Sequence, residues 1–180
     1  MSDKTFSFSF DLKFEAEISD LSEQQINSVI PFDFKGKEDF IKFYLTYNGV
    51  YFPNGAMLHY YRIPNENCYT AEIESFYRIR SIGDNSEDVS LADIWGYAKK
   101  HSQKAKEFAE IHIPFAGDAS GNDYWINIST GNIKYVNWEY QFEEERLVAS
   151  SFKDFCLAIR PLKSPVLPNL QFGSYEYKHF

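Results

Sequence analysis

The sequence predicts a single α+β domain, and two observations indicate this fold class. Segments that alternate apolar and polar residues, as strands do, are interspersed with segments whose apolar residues recur at helical spacing. The chain has 180 residues, with no internal repeat, low-complexity segment or linker-like stretch. A chain of this length buries roughly 70% of the surface that its unfolded form exposes, so one hydrophobic core is sufficient. We therefore expect one domain over residues 1–180.

The first third of the chain predicts one strand followed by two helices. In "TFSFSFDLKFEAE" every second residue from Phe6 to Phe14 is apolar, which is typical of a half-buried strand. Ser22 is suited to cap a short helix that Pro31 would end. The segment "GKEDFIKFYLTY" has its apolar residues at helical spacing. Asn48 and Gly49 are predicted to end this second helix, because both tolerate the left-handed backbone of a helix C terminus.

The middle of the chain predicts two strands and one long helix. "GAMLHYYRI" and "YTAEIESFYRIRSI" have the short apolar runs of strands, and the turn-like "PNEN" separates them. "SLADIWGYAKKHSQKAKEFAE" predicts the longest helix of the chain, and Ser90 with Asp93 resembles a capping box at its start.

The last third predicts a hairpin and a final helix. Tyr124, Ile126 and Ile128 would share one face of a first strand, and Val136, Trp138 and Tyr140 one face of a second. The intervening "STGN" suits a hairpin loop in which Gly131 takes a positive backbone angle. "SSFKDFCLAIRP" predicts a helix that is capped by Ser151 and closed by Pro161. The aromatic residues in the tail favour a segment that lies on the domain surface.

The amino-acid composition indicates which ligands and which cellular compartment to expect. The chain carries 26 acidic and 18 basic residues, for a net charge of -8. Nucleic acid is therefore not expected as a direct ligand, whereas basic partners are attracted. The sequence shows no leader pattern and no run of about 18 apolar residues, so we expect a cytoplasmic protein without a membrane span. Cys68 and Cys156 are far apart and form no CxxC pair, which favours a reducing compartment.

The usual catalytic and cofactor motifs do not occur in the sequence. The four histidines form no HExxH and no pair four residues apart on a helix, and no GxSxG, GxxxxGK[ST] or GxGxxG follows a predicted strand. We therefore expect no enzyme activity, no cofactor and no metal.

The segment "DASGND" admits either a ligand site or a turn. Its alternating oxygen donors suit a hard cation, but Ser129 and Thr130 stand where a calcium loop would need a glutamate. Asp118, Asp123 and Glu139 also leave a paired-carboxylate glycosidase as an alternative. As turn residues, Asp118 and neighbouring side chains would bind local backbone groups.

The order of three motifs resembles the SUKH superfamily, which includes bacterial immunity proteins and a fungal regulator of cell-wall glucan synthesis. These motifs are "FYLTYNGVYFPNG", "IPFAGDASGNDYWINISTGNIKYVNWE" and "VASSFKDFCLAI". The resemblance covers about residues 20–162, so the N-terminal strand and the C-terminal tail are additions to it. It implies an α+β domain in which a mostly antiparallel, twisted sheet has helices packed on one side. It also favours the turn reading of "DASGND", with Asn122 bonded to local backbone and Gly121 supplying an unusual angle.

The resemblance further implies an immunity protein that neutralises a cognate polymorphic toxin, such as a basic nuclease, by direct binding. A regulatory scaffold for several proteins and a carbohydrate-binding protein are the alternatives. We expect a monomer or weak dimer. The expected contact surface comprises Asp118, Trp138, Glu139, Tyr140, Glu143, Glu144 and Glu145.

Overall fold

A computed structural model describes residues 6–8, 12–60, 68–80, 87–140 and 146–162. Within these ranges eight strands form one sheet, in which the first seven neighbour one another in chain order and the eighth pairs with the second beside the position of the first. Every pairing between these strands is antiparallel. The predicted α+β class and antiparallel sheet are confirmed.

Strands and helices are interspersed along the described part of the chain. The strands are β1 (Glu15–Ile18), β2 (Tyr47–Tyr60), β3 (Tyr69–Phe76), β4 (His112–Gly117), β5 (Asp123–Asn127), β6 (Ile133–Val136), β7 (Arg146–Ala149) and β8 (Ile159–Pro161). The helices are α1 (Glu23–Val29), α2 (Lys37–Thr46), α3 (Leu91–His101), α4 (Gln103–Glu110) and α5 (Phe152–Ala158). None of the helices in the described ranges is long and apolar enough to cross a membrane.

The main core is built from aromatic side chains between one sheet face and the helices α1, α2 and α5. Phe43 of α2 packs on Phe76 of β3 with ring centroids 4.6 Å apart, and Phe152 of α5 contacts both rings. Tyr124 on the neighbouring part of the sheet meets Phe155 at 5.0 Å. We call this sheet face the inner face. Burial of such large rings supplies most of the free energy that holds helices to the sheet.

A second, smaller core lies on the opposite sheet face, which we call the outer face. Successive residues of a strand point to opposite faces, so Trp125 faces away from its neighbours Tyr124 and Ile126. Trp125 is fully buried against alanines of α3 and α4, and the Phe108 ring lies 5.4 Å from it. Helices α1, α2 and α5 therefore pack on one side of the sheet, as expected. Helices α3 and α4 lie on the other side, where they cover Trp125.

The N-terminal segment departs from the strand that its alternation predicts. Among its described residues, Glu15–Ile18 alone forms a strand, and residues 6–8 and 12–14 have no regular structure. Phe6 and Leu12 are nevertheless buried in the main core, with Phe8 and Phe14 packed against it. The predicted burial of these apolar side chains is therefore confirmed, but they are held by packing against the core and not by pairing of a strand. Phe10 lies outside the described residues.

The second helix ends earlier than predicted. Its last residue is Thr46, and Tyr47 already has an extended backbone, so Asn48 and Gly49 do not form a left-handed helix end. Both lie in β2, and Gly49 has φ of +97° where the register between β1 and β2 shifts. Such a β-bulge requires the positive angle that glycine tolerates.

The predicted long helix is two helices, because Ser102 interrupts it. Ser102 has an extended backbone, and its hydroxyl accepts a hydrogen bond from Ala105 N at 3.1 Å, which caps α4. A serine in mid-pattern can serve as an N-cap instead of continuing a helix. The predicted caps at Ser22, Ser90 and Ser151 are confirmed by hydrogen bonds from the third backbone N–H of each helix.

The predicted two-strand segment contains three strands and a short 3-10 helix. His112–Gly117 forms β4, which is buried along its whole length. Its sequence therefore shows no alternation of apolar and polar residues from which a strand could be predicted. The hairpin of β5 and β6 is confirmed, and Gly131 in its loop has φ of +76°. Trp138–Tyr140 is a 3-10 helix and does not continue the second strand. The helix α5 ends at Ala158, before the Pro161 that was predicted to close it, and Ile159–Pro161 forms β8. The "PNEN" turn and the tail from residue 163 lie outside the described residues.

Candidate functional site

The part of the outer face that α3 and α4 leave uncovered forms a groove. Its floor is built from β1, β2 and β3, and residues of the segment before α3 and of the turn between β4 and β5 form its walls. The groove has a volume of about 740 Å³. This size is within the range of ligand-binding clefts, and the groove is open to solvent as a surface for another protein would be.

The strand register accounts for the floor of the groove. Glu15 pairs with Tyr51, Tyr51 with Ser75, Ser75 with Gly117, and Gly117 with Asp123. Directly opposed residues in a sheet lie on the same face, so this row crosses five strands on the outer side. Residues far apart in the sequence are thereby brought to one surface.

The charge of the groove is strongly negative. Arg78 is the one basic residue of the described lining, and its guanidinium pairs with Glu17 at 3.1 Å and with Asp88 at 3.2 Å. The described part of the lining carries six carboxylates, which are Glu15, Glu17, Glu74, Asp88, Asp118 and Asp123. We refer to this surface as the acidic groove. A concave surface of one sign concentrates its electrostatic field and attracts opposite charge.

Asp123 is the buried carboxylate of the acidic groove. Its side chain accepts hydrogen bonds from the Tyr77 hydroxyl and from the Trp138 indole N–H. Burial raises the pKa of Asp123 to about 6, the two hydrogen bonds oppose that rise, and the nearby Asp118 charge adds to it. Burial also raises the pKa of the Tyr77 hydroxyl, with the Asp123 charge as the next cause. Gly117 makes this contact possible, because a methyl group there would overlap the Tyr77 hydroxyl.

Asp118 organises the turn at the rim of the groove. Its carboxylate accepts hydrogen bonds from Ser120 N at 2.8 Å, Asn122 N at 2.9 Å and the Tyr135 hydroxyl at 2.7 Å. Gly121 has φ of +80° within the same turn. The bonds from Ser120 and Asn122 have the geometry of turn chemistry, in which an aspartate binds the backbone of residues that follow it. Among the described residues no group of three or more metal-ligating side chains lies together.

Trp138 connects the turn to a surface on α3. Its backbone N–H donates to Asn122 Oδ1 at 3.2 Å, and its ring lies 5.7 Å from Tyr97 and 5.3 Å from His101. Tyr97 is 57% exposed. The indole therefore has one end held by the buried Asp123 carboxylate and its ring packed against two side chains of the helix surface.

The predicted contact residues divide into three groups. Asp118 lines the acidic groove. Trp138 lies next to the groove and donates a hydrogen bond to Asp123, which lines it. Glu139 is exposed on the 3-10 helix, which also contains the backbone of Tyr140. Glu143, Glu144 and Glu145 lie outside the described residues.

Most of the groove residues were not predicted from the sequence. Tyr77, Arg78 and Glu74 come from a segment that was predicted only as a strand, and their proximity to Asp123 depends on the sheet register. The polar side of the N-terminal alternation was the available signal for Glu15 and Glu17, since it placed Glu15 opposite the buried phenylalanines.

The fold and the groove define the class of protein: an α+β domain that presents a charged, concave surface on an antiparallel sheet. A model of the SMI1 / KNR4 family (SUKH-1) matches residues 32–157, and the chain belongs to this family. Membership of the SUKH superfamily is thereby confirmed, and proteins of this family bind partner proteins. The match leaves β1 and its two groove carboxylates outside the family segment. Among curated proteins, none matches the sequence.

Proposed function

We propose that the protein is an immunity protein that neutralises a cognate toxin by binding it through the acidic groove. Membership of a family that fits the immunity-protein superfamily supports the class. The single observation that carries the proposed binding surface is the groove, in which six carboxylates face one guanidinium on an uncovered sheet face. A basic protein surface, such as that of a nuclease, has the complementary charge.

Apolar side chains within the groove provide anchors for a protein partner. Tyr51 is 43% exposed on the floor, and Val89 is 54% exposed on the wall. Protein interfaces commonly combine such anchors with charged surroundings, and anchors slow dissociation while charges speed encounter. The groove offers both features over one continuous surface.

The mechanism is stoichiometric occlusion. One immunity protein binds one toxin and covers or locks its active site, and no bond in the toxin is made or broken. Neutralisation then depends on the amount of immunity protein and on the lifetime of the complex.

Co-expression with the toxin encoded next to the gene tests this proposal. The wild-type chain should restore growth, and purified toxin and immunity protein should form a one-to-one complex by sedimentation. A Glu15→Lys/Glu74→Lys variant should weaken the complex by about a hundredfold or more, since each reversal replaces attraction by repulsion. Neither residue forms an ion pair with a described side chain that the variant would break.

A Glu107→Lys/Glu110→Lys variant is the matched control. Both residues are exposed on α4, do not line the groove, and give the same change in net charge. The control should bind the toxin as the wild type does. Equal weakening by both variants would show that net charge alone matters, and no weakening by the groove variant would remove the groove from the interface.

A further inference from the structure

We propose that the outer edge of β1 receives an extended strand of the partner, in which lysine or arginine alternates with apolar residues. This recognition mode rests on the proposed function for its biological role. It assigns a specific part of the partner to a specific part of the acidic groove.

β1 is the first strand of the sheet and pairs, among the residues that the structure describes, only with β2. All four of its residues are exposed. The side of an edge strand that faces away from its sheet presents backbone N–H and C=O groups that an added strand can bind.

The two faces of β1 differ in chemistry. Glu15 and Glu17 lie two residues apart and both line the acidic groove. Ala16 pairs with the buried Val50, and Ile18 with Tyr47, which packs against the main core. Ile18 is 87% exposed, although it is an apolar side chain next to core residues. A strand added beside β1 would place its alternate side chains next to these two different rows.

The pattern of the added strand follows from that arrangement. Cationic side chains would lie beside Glu15 and Glu17 on the groove side, and apolar side chains would cover Ile18 on the other side. Glu17 is already paired with Arg78 at 3.1 Å, whereas Glu15 forms no ion pair with any described residue. Glu15 is therefore the first carboxylate that a partner lysine or arginine would meet.

The same carboxylates disfavour a second copy of this chain as the occupant. Pairing β1 with β1 would bring two glutamates from each copy together along one seam, and like charges across a strand pair are destabilising. A short, charged edge strand is a common device against self-association. Here its charge rejects an acidic strand and attracts a basic one, which gives selectivity between partners.

A synthetic peptide tests strand addition without knowledge of the toxin. The probe has about six residues, a usual strand length, with lysine alternating with valine and with both ends blocked. Added to the full-length protein labelled with ¹⁵N, it should shift the amide signals of Glu15–Ile18 more than those of the opposite edge strand, Arg146–Ala149. The β1 amides should also exchange with solvent about tenfold more slowly, because added backbone hydrogen bonds protect them.

The control peptide has the same side chains but N-methylated backbone amides. It keeps the charge and loses the ability to pair as a strand, so it should bind at least about tenfold more weakly. A Glu15→Gln/Glu17→Gln variant should also weaken binding of the first peptide, whereas Glu107→Gln/Glu110→Gln should not.

Equal binding of both peptides would overturn strand addition, since only charge would then be recognised. Equal shifts at both sheet edges, or the absence of binding, would overturn it as well. Dimerisation through β1 without peptide would identify a second copy as the occupant. These failures would leave the proposed function standing if the wild-type chain still neutralised its toxin, and a failure to neutralise any toxin would refute the function separately.

Discussion

Replacement of Asp123 by asparagine changes how the folding stability of the protein depends on pH. The pKa of Asp123 is raised from 3.8 to about 6, mainly by burial. Between these two values the folded state holds a proton that the unfolded state has released. Stability contributed by this group is therefore present below about pH 4 and is lost as the pH rises through about 6.

The size of the effect follows from the pKa difference. One pH unit corresponds to about 1.4 kcal/mol, so ionised Asp123 lowers the free energy of unfolding by about 3 kcal/mol at neutral pH relative to acid. Asparagine does not titrate and keeps one oxygen acceptor for Tyr77 or Trp138. Asp123→Asn should thus be more stable than the wild type at pH 7 and close to it at pH 4.

Urea denaturation of both proteins at several pH values measures this difference. Subtracting one stability curve from the other removes the contribution of the carboxylates that both proteins share. One of these is Asp93, whose pKa is lowered mainly by its hydrogen bonds with Ser90. The difference should grow by about 2.4 kcal/mol between pH 4 and pH 7, because part of the full effect is already present at pH 4. Parallel curves would refute the reasoning, because they would show that Asp123 has the same proton affinity in both states.

Three further predictions concern the groove and the core beneath it. Gly117→Ala should destabilise the fold by about 2 kcal/mol, because the added methyl displaces the Tyr77 hydroxyl from Asp123, and thermal unfolding would report it; loss of a hydrogen bond that opposes the raised pKa of Asp123 should also enlarge the pH-dependent difference from Asp123→Asn. Asn48→Ala should cost about 3 kcal/mol by urea denaturation, since the Asn48 side chain binds both the N–H and the C=O of buried Ile79, and an unchanged midpoint would contradict this. Raising the ionic strength from about 0.05 M to about 0.5 M should slow toxin association by about tenfold or more while changing dissociation little, and a salt-independent rate would exclude electrostatic steering.

Local sequence signals predicted much of the fold because they act within a few residues. The helix caps at Ser22, Ser90 and Ser151 each depend on a side chain and an amide three residues later, and all three are confirmed. The break at Ser102 uses the same chemistry but lies within a continuous helical pattern. Apolar periodicity alone does not distinguish a long helix from two helices that share one face.

The candidate site was less predictable because it depends on the sheet register. Asp118 was found from its turn, in which its hydrogen bonds with Ser120 and Asn122 lie within four residues. Tyr77 reaches Asp123 across 46 positions of sequence, and Glu15 joins the same surface only through β2 and β3. No short-range pattern specifies such a row, whereas the order and register of the strands do.

Titration of toxin activity with the purified protein tests the central claim most directly. Residual activity should fall linearly and reach its minimum at one immunity protein per toxin, and Glu15→Lys/Glu74→Lys should abolish this break point while Glu107→Lys/Glu110→Lys preserves it. Loss of toxin activity at far less than one equivalent would contradict the account, because it would indicate turnover instead of binding. An unchanged break point in the groove variant would contradict the assignment of the acidic groove as the binding surface.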